Sequence, residues 1–294
     1  MNGPNFQLSA ADFPTHRLAD PNNRNSPVLF DIDNVTGSQG VIPSNFVAIV
    51  PGSAVDAVIF DGPDPIFSIG GVNVRRPTGR NTPSSINAVF NFRNFWDGRA
   101  QNDFNGVNPF GSRDPDARVA QVNAVGGADL VTVSLNNSSL ASQAVGPPGN
   151  DVEMSAAGRT LKDIGVKLLA LQPLGQQRVG ATDSVLGPYV SASGTGLQTS
   201  YADLIGQAFQ PEWWNSTDIL TDPVTGRSYT MMEFNFSLFW GLAIQTREAT
   251  LVSDQTRFDR FLGGDNTALS SQEKDGSAAL AARPVASSAT AAPS

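Results

Sequence analysis

Hydrophobic residues recur at helical spacing mainly in the second half of the chain. The stretch from Met231 to Leu251 carries Phe, Leu and Ile side chains three or four positions apart, which predicts a core helix. Residues 158–171 carry Leu and Ile side chains along one face, which predicts a second helix. A third helix is predicted from Ser200 to Pro211. Two short helices are predicted, one at Asp254–Phe261 and one after the capping box Ser270-Ser271-Gln272-Glu273.

The first half of the chain has a different pattern, with Pro, Asn, Asp and Gly at high density. This composition predicts loops over residues 1–80, with two or three short strands, for example at Phe46–Val50. A short helix is predicted over Thr82–Phe92, because a capping threonine and an early proline precede spaced apolar residues. Residues 101–150 are again loop-like, with one strand predicted at Leu130–Val133.

Composition narrows the possible functions. With 40% hydrophobic residues among 294, the chain can bury a core for one large domain or two ordinary ones. The net charge of -8 argues against a nucleic-acid partner, which needs a concentrated basic surface. No run of about 18 apolar residues occurs, so no membrane span is predicted. The start Met1–Pro4 lacks the basic and apolar regions of a secretory signal peptide.

The chain contains no cysteine and one histidine. This excludes disulfides, zinc ribbons, iron–sulfur clusters, a thiol nucleophile and covalent attachment of a c-type haem. A single histidine also excludes a multi-histidine metal site. For His16 itself, the alternatives are a ligand or acid–base role and a hydrogen-bonded surface or core residue.

Three other positions have local interpretations. In the turn at 95–100, Trp96 is predicted to anchor a core, and Asp97 to pair with Arg99. The pair Trp213-Trp214 predicts a packed aromatic corner. Glu153 follows a proline-rich turn, and it is either a positioned base or a solvated loop carboxylate. These residues alone describe an acidic helix-and-loop protein without an assigned activity.

Several blocks taken together resemble bacterial di-haem cytochrome c peroxidases, a family that includes MauG-like enzymes. The blocks occur in the family's order between Arg80 and Gly276, about two-thirds of the chain. The first block is Arg-Asn-Thr-Pro at 80–83 with Phe-Trp-Asp-Gly-Arg-Ala at 95–100. The second is Gln-Ala-Val-Gly-Pro-Pro at 143–148 with Asn150, Glu153 and Met154. The third is Glu248–Asp254 with Phe258–Phe261 and Gln272–Lys274.

The resemblance implies a mainly α fold, with cytochrome c-like helical domains and long irregular loops. Each family domain holds one haem c through Cys-x-x-Cys-His, and the enzymes reduce hydrogen peroxide in the periplasm with electrons from a small cytochrome or cupredoxin. On this basis the chain is expected to be incomplete at both ends. Residues 1–225 correspond to the remainder of the first, peroxidatic domain, 226–276 to the start of the second, and 277–294 to a non-native low-complexity tail.

The resemblance also assigns roles to individual residues. Glu153 matches the carboxylate beside the peroxidatic haem, and Gln143 matches the active-site amide. Trp96 matches the aromatic residue placed between the two haems for electron transfer. Asn81 matches a ligand of the calcium ion at the domain interface, for which an amide oxygen is suitable.

The chain departs from the family in lacking both haem-binding motifs. Peroxidase activity is therefore expected to be absent from it. An out-of-frame reading of the tail after Gly276 permits Lys-Ala-Arg-Cys-x-x-Cys-His-Gly-Gly-Pro, and we hypothesise that the tail is a frameshifted translation. The alternative function is a haem-free binding or structural protein that retains the scaffold.

Overall fold

A computed structural model describes residues 16–31, 39–79 and 82–281 of the chain. These residues form seven α-helices and five two-stranded antiparallel sheets joined by long loops. They divide into two compact units, on either side of the bond between Thr250 and Leu251. The fold is thus mixed and rich in loops. The long irregular loops agree with the expectation, whereas the strand content corrects the prediction of a mainly α fold.

The strands form five hairpins, each of which pairs two consecutive strands. The abundance of turn-forming residues explains the hairpins that the sequence pattern missed. Gly70 and Gly71, for example, both adopt positive φ (58° and 81°) in the turn of the third hairpin, a conformation that favours glycine. The strands are β1 (His16–Leu18), β2 (Val28–Asp31), β3 (Asn45–Ala48), β4 (Ala57–Ile59), β5 (Ser68–Ile69), β6 (Val72–Asn73), β7 (Val119–Val122), β8 (Ala128–Val131), β9 (Ile219–Thr221) and β10 (Ser228–Thr230).

The helices lie where apolar spacing predicted them, with one addition and one interruption. The addition is α1, in a segment predicted as loop. The predicted core helix is divided into two, α4 and α5. The helices are α1 (Ser139–Ala144), α2 (Leu161–Leu169), α3 (Tyr201–Ala208), α4 (Met231–Phe234), α5 (Phe236–Glu248), α6 (Arg257–Leu262) and α7 (Ser271–Ala281). None of the helices in the described part of the chain is long and apolar enough to cross a membrane.

The interruption between α4 and α5 lies at Asn235, which is fully buried. Its side-chain oxygen accepts the backbone N–H of Ala120 in β7 at 2.7 Å. Its side-chain amide donates to the carbonyl oxygens of Ala120 and Trp213, both at 2.7 Å. Asn235 therefore ties the helices to β7 and to the segment before β9, a role that its position in an apolar run did not indicate.

The core of the first unit lies where α1 packs against α5. Phe104, Val119 and Leu238 are fully buried there. Gly241 permits the close approach, because a Cβ atom at this position would lie 2.9 Å from the Phe104 ring and 3.1 Å from the Ala141 carbonyl oxygen. This packing fixes α1 and, with it, the chain that continues into the loop after residue 144.

Two shorter segments differ from their predictions. The helix predicted over Thr82–Phe92 is reduced to a single 3-10 turn at Ala88–Phe90, since Asn87 adopts a left-handed conformation with φ of 63°. Helix α7 begins after Ser270 as predicted, but it continues to Ala281, five residues beyond Gly276. The rest of the predicted tail, 282–294, lies outside the described residues.

Candidate functional site

A cavity of about 580 Å³ lies in the first unit and combines residues that are far apart in sequence. Its size falls within the range of small-molecule sites, roughly 300–1,000 Å³. Its wall mixes carboxylate, amide, hydroxyl, aromatic and guanidinium groups. The described residues that line it are Gln39, Thr78, Thr82, Pro83, Ser84, Ser85, Phe95, Trp96, Arg99, Gln143, Pro147, Glu153, Met154 and Glu248.

Three of the four residues assigned by resemblance line this one cavity. They are Trp96, Gln143 and Glu153. Gln143 and Glu153 are half-buried, whereas Trp96 is 78% exposed. The fourth, Asn81, lies outside the described residues, although its neighbour Thr82 is part of the wall. The structure thus brings the predicted carboxylate, amide and indole to the same space.

The turn after α1 presents Glu153 to the cavity. A 3-10 turn at Pro147–Gly149 reverses the chain, and Asn150 follows it. The side-chain oxygen of Asn150 accepts the backbone N–H groups of Val152 at 2.9 Å and of Glu153 at 3.1 Å. Asparagine is common in such turns because its short side chain can satisfy nearby backbone N–H groups. The position of Glu153 is therefore set locally by Asn150.

A partly buried arginine supports the same turn through hydrogen bonds to its backbone and side chains. Arg159 donates from Nη2 to the carbonyl oxygen of Met154 at 2.8 Å and from Nε to Oγ of Ser155 at 3.0 Å. Its Nη1 lies 2.6 Å from Oδ2 of Asp56, whose side chain is only 6% exposed. Lys167 forms a second ion pair with Asp56. This network connects the Glu153 turn to α2 and to the segment before β4.

The segment before β3 packs against the other side of the turn that carries Glu153. The backbone N–H of Val41 donates to the carbonyl oxygen of Val152 at 3.0 Å. Gly40 lies so close to this carbonyl that a Cβ atom at its position would be 1.9 Å from the oxygen. Only glycine fits this approach without displacement of the backbone. Gly40 therefore determines how closely residues 39–41 pack against the Glu153 turn.

The aromatic turn at 95–97 corrects one prediction. Trp96 does not anchor the core but lies at the cavity wall and is largely exposed. Phe95 is half-buried instead, and its φ of 57° turns the chain so that its ring packs against Gly146. The guanidinium of Arg99 stacks over the Phe95 ring at 4.0 Å. Its Nη1 also lies 3.1 Å from Oδ2 of Asp97, which confirms the predicted pair.

Two charged residues of the wall were not among the predicted site residues. Arg99 contributes a guanidinium that Asp97 and Phe95 hold in place. Glu248 contributes a second carboxylate from the last residue of α5. Both belong to the sequence blocks that carry the family resemblance, at 95–100 and 248–254. These sequence blocks were therefore the signal that could have identified Arg99 and Glu248, because the spacing of the two residues along the chain does not indicate a common site.

A buried carboxylate network stabilises the start of α2, which follows Arg159. Asp163 is 3% exposed and accepts hydrogen bonds from Arg227, from the Tyr229 hydroxyl at 2.8 Å and from Thr160 at 2.8 Å. Burial acts to raise the pKa of Asp163, but these hydrogen bonds outweigh it and lower the pKa below its usual range. Burial also raises the pKa of Tyr229. Asp163 is therefore held as a carboxylate.

His16 lies apart from the residues that line the cavity. His16 is exposed in β1, with its Nδ1 3.4 Å from Oδ2 of Asp31 in β2, and it is not among the residues that line the cavity. Within 16–31, 39–79 and 82–281, no group of three or more His, Asp or Glu side chains could hold a metal ion. The calcium site at Asn81 stays a prediction.

Comparison with known proteins agrees with the motif-based resemblance. The sequence model of the family described as di-haem cytochrome c peroxidase matches residues 56–185. No curated protein and no solved structure matches the chain. The matched range contains Trp96, Gln143 and Glu153, together with Arg159 behind them. Residues 56–185 of the chain are thus similar to the di-haem cytochrome c peroxidase family.

Proposed function

We propose that the cavity is the peroxidatic pocket of a di-haem cytochrome c peroxidase, retained in a chain that does not itself turn over peroxide. Enzymes of this kind reduce hydrogen peroxide in the periplasm and take electrons from a small cytochrome or cupredoxin. The observation that carries the proposal is the common cavity of Trp96, Gln143 and Glu153, which are up to 57 residues apart in sequence, from 96 to 153.

The chemistry of the wall supports this proposal. A half-buried carboxylate such as Glu153 can hold or release a proton at an oxygen substrate. The Gln143 amide can donate to one oxygen and accept from another, which suits it to orient peroxide. Asn150 and Arg159 fix the turn that carries Glu153, so the carboxylate needs little reorganisation to act. Glu153 and Gln143 could thus supply the proton-transfer and peroxide-orienting groups of the proposed site.

Haem c, in contrast, does not fit the residues of this chain. Attachment requires two cysteine thiols and an axial histidine, and the chain has no cysteine. Its one histidine lies in the β1–β2 hairpin beside Asp31 and does not line the cavity. Haem c therefore cannot be attached covalently to this chain.

Expression in a host that matures c-type cytochromes tests this proposal. We expect the purified protein to retain no haem after acid–acetone extraction and to reduce hydrogen peroxide no faster than the buffer. A Soret band that survives extraction, or peroxide turnover by protein loaded with free haem, would contradict the expected loss of activity. A Trp96→Phe variant serves as a control for any turnover that is measured.

The second candidate is a haem-free binding or structural protein that uses the same scaffold. It is favoured by the contacts that support the wall, because Asn150, Arg159 and Arg99 are each held by other protein groups. Such contacts can support the cavity wall without a cofactor. A cooperative thermal unfolding transition of the haem-free protein would favour this candidate. A broad transition with early aggregation would favour a non-functional gene fragment instead.

A further inference from the structure

A second, open cavity of about 650 Å³ lies in the first unit and shares no lining residue with the proposed peroxidatic pocket. All of its described lining residues fall between Tyr189 and Met232. They therefore lie beyond residue 185, where the match to the peroxidase family ends. Helix α3 forms one side of the cavity, and the segment that ends at Trp214 forms another. The family function accounts for none of these residues, and a ligand bound among them would be independent of the proposed peroxidatic pocket.

The aromatic part of this cavity is held in a fixed position. The indole N–H of Trp214 donates to the backbone carbonyl oxygen of Phe209 at 3.0 Å. Because its polar atom is already bound, Trp214 offers the cavity an apolar ring surface. Tyr189 lines the same space and is 37% exposed. Trp213 packs against the core cluster, as the predicted aromatic corner requires, and the half-buried Trp214 lines the cavity.

The polar part of the cavity consists of side chains that both donate and accept hydrogen bonds. Gln198 and Gln207 contribute amides, and Thr199 contributes a hydroxyl. Asp203 adds one carboxylate, which accepts from Oγ of Ser200 at 2.7 Å at the start of α3. The described residues that line the cavity include no Lys, Arg or His. A phosphate or carboxylate ligand would find no positive partner among them.

We propose that this cavity binds an uncharged oligosaccharide. The hydroxyl groups of a sugar ring donate and accept in the way that amides and a carboxylate require, while its C–H face packs on an aromatic ring. Aromatic rings beside a few polar groups are typical of small-molecule sites. The lining excludes anionic ligands by charge, and its several polar groups favour a hydroxyl-rich ligand over a purely apolar one.

Gly206 offers a substitution that is expected to fill the cavity and to leave the fold intact. It lies in α3 and lines the cavity, and a Cβ atom there would be 3.7 Å from the Trp214 ring, an ordinary contact distance. A larger side chain would extend over the ring and fill the space. In Gly206→Leu the helix is favoured, since leucine has a higher helix propensity than glycine. Gly276→Leu in α7 is the matched control, because nothing lies within 4 Å of its Cβ position.

Calorimetric titration with cellotetraose and maltotetraose tests the proposal. We expect at least one of them to bind, with affinity reduced by about tenfold or more in Gly206→Leu and in Trp214→Ala, and unchanged in Gly276→Leu. Absence of binding for both sugars would overturn the proposal, as would equal binding by Gly206→Leu. Tighter binding of trigalacturonate or of adenosine than of either sugar would also overturn it, since the ligand class would then be wrong.

Discussion

The guanidinium of Arg159 holds the backbone of Met154, since its Nη2 donates to the Met154 carbonyl oxygen at 2.8 Å. This contact matters because Met154 and Glu153 are adjacent in the cavity wall. Arg159 is itself fixed by Asp56 at 2.6 Å, so a residue nearly 100 positions upstream of Glu153 helps to determine where that carboxylate lies. The cavity therefore depends on contacts well outside its own lining.

Removal of this support should destabilise the protein. In Asp56→Ala, the cations of Arg159 and Lys167 lose a buried partner, and we expect the free energy of unfolding to fall by about 3 kcal/mol. Urea denaturation monitored by circular dichroism measures this change. The control is Asp151→Ala, because Asp151 is an exposed aspartate in the turn that carries Glu153. Equal losses in both variants would show that the Asp56 network contributes nothing specific.

The close approach of Gly40 to the Val152 carbonyl predicts a second effect. In Gly40→Ala, the new methyl group would overlap with the carbonyl oxygen, and the strain should cost about 1–3 kcal/mol or more. Gly62→Ala is the matched control, because nothing lies within 4 Å of its Cβ position. Chemical denaturation of the two variants separates the outcomes. A Gly40→Ala protein as stable as Gly62→Ala would contradict the described packing.

The lowered pKa of Asp163 predicts a dependence of stability on pH. The unfolded pKa of an aspartate is about 3.9, and the folded pKa is lower, so the folded state favours the charged form. The stabilisation is fully present above the unfolded pKa and is lost as the pH falls through the folded one. Urea denaturation between pH 6 and pH 2.5 should show this loss below about pH 4. In Asp163→Asn, that part of the acid-dependent loss should disappear; an unchanged pH profile would rule out Asp163 as its source.

The buried asparagine between α4 and α5 gives a prediction about the core. In Asn235→Ala, the backbone N–H and carbonyl of Ala120 and the carbonyl of Trp213 lose their partners. Unsatisfied buried groups cost about 1–3 kcal/mol each, so a loss of at least about 2 kcal/mol in unfolding free energy is expected. Exposed Asn215→Ala should change the stability little. Similar thermal midpoints for the two variants would contradict this assignment.

The sequence pattern predicted the helices best where local signals, such as capping residues, decide where a helix begins. Helix α2 begins with a capping box at Thr160, and α7 begins after Ser270, whose hydroxyl accepts from the N–H of Glu273. The pattern failed where tertiary contacts decide the backbone. Asn235 interrupts the core helix through bonds to β7, and Asn87 ends a helical stretch by its left-handed conformation. Such contacts leave no periodic trace in the sequence.

The candidate site was predicted in part, and only through the family motifs. The spacing of Glu153, taken alone, favoured a solvated loop carboxylate over a positioned base. Its supports, Asn150, Arg159 and Gly40, come from contacts between segments distant in sequence, which periodicity cannot reveal. The opposite error occurred at Trp96, where aromatic size suggested a buried anchor. Phe95 adopts a positive φ, and its ring packs against Gly146 while Trp96 is left exposed at the cavity wall.

The absence of native cysteine permits one direct test of the shared cavity, because a single introduced thiol can be labelled alone. A bimane fluorophore attached to the Glu153→Cys variant should be quenched by Trp96 on contact across the cavity. We predict that adding Trp96→Phe restores its fluorescence, whereas adding Trp214→Phe does not. Bimane fluorescence that is unchanged by Trp96→Phe would contradict the central claim, that Trp96 and Glu153 lie in one wall.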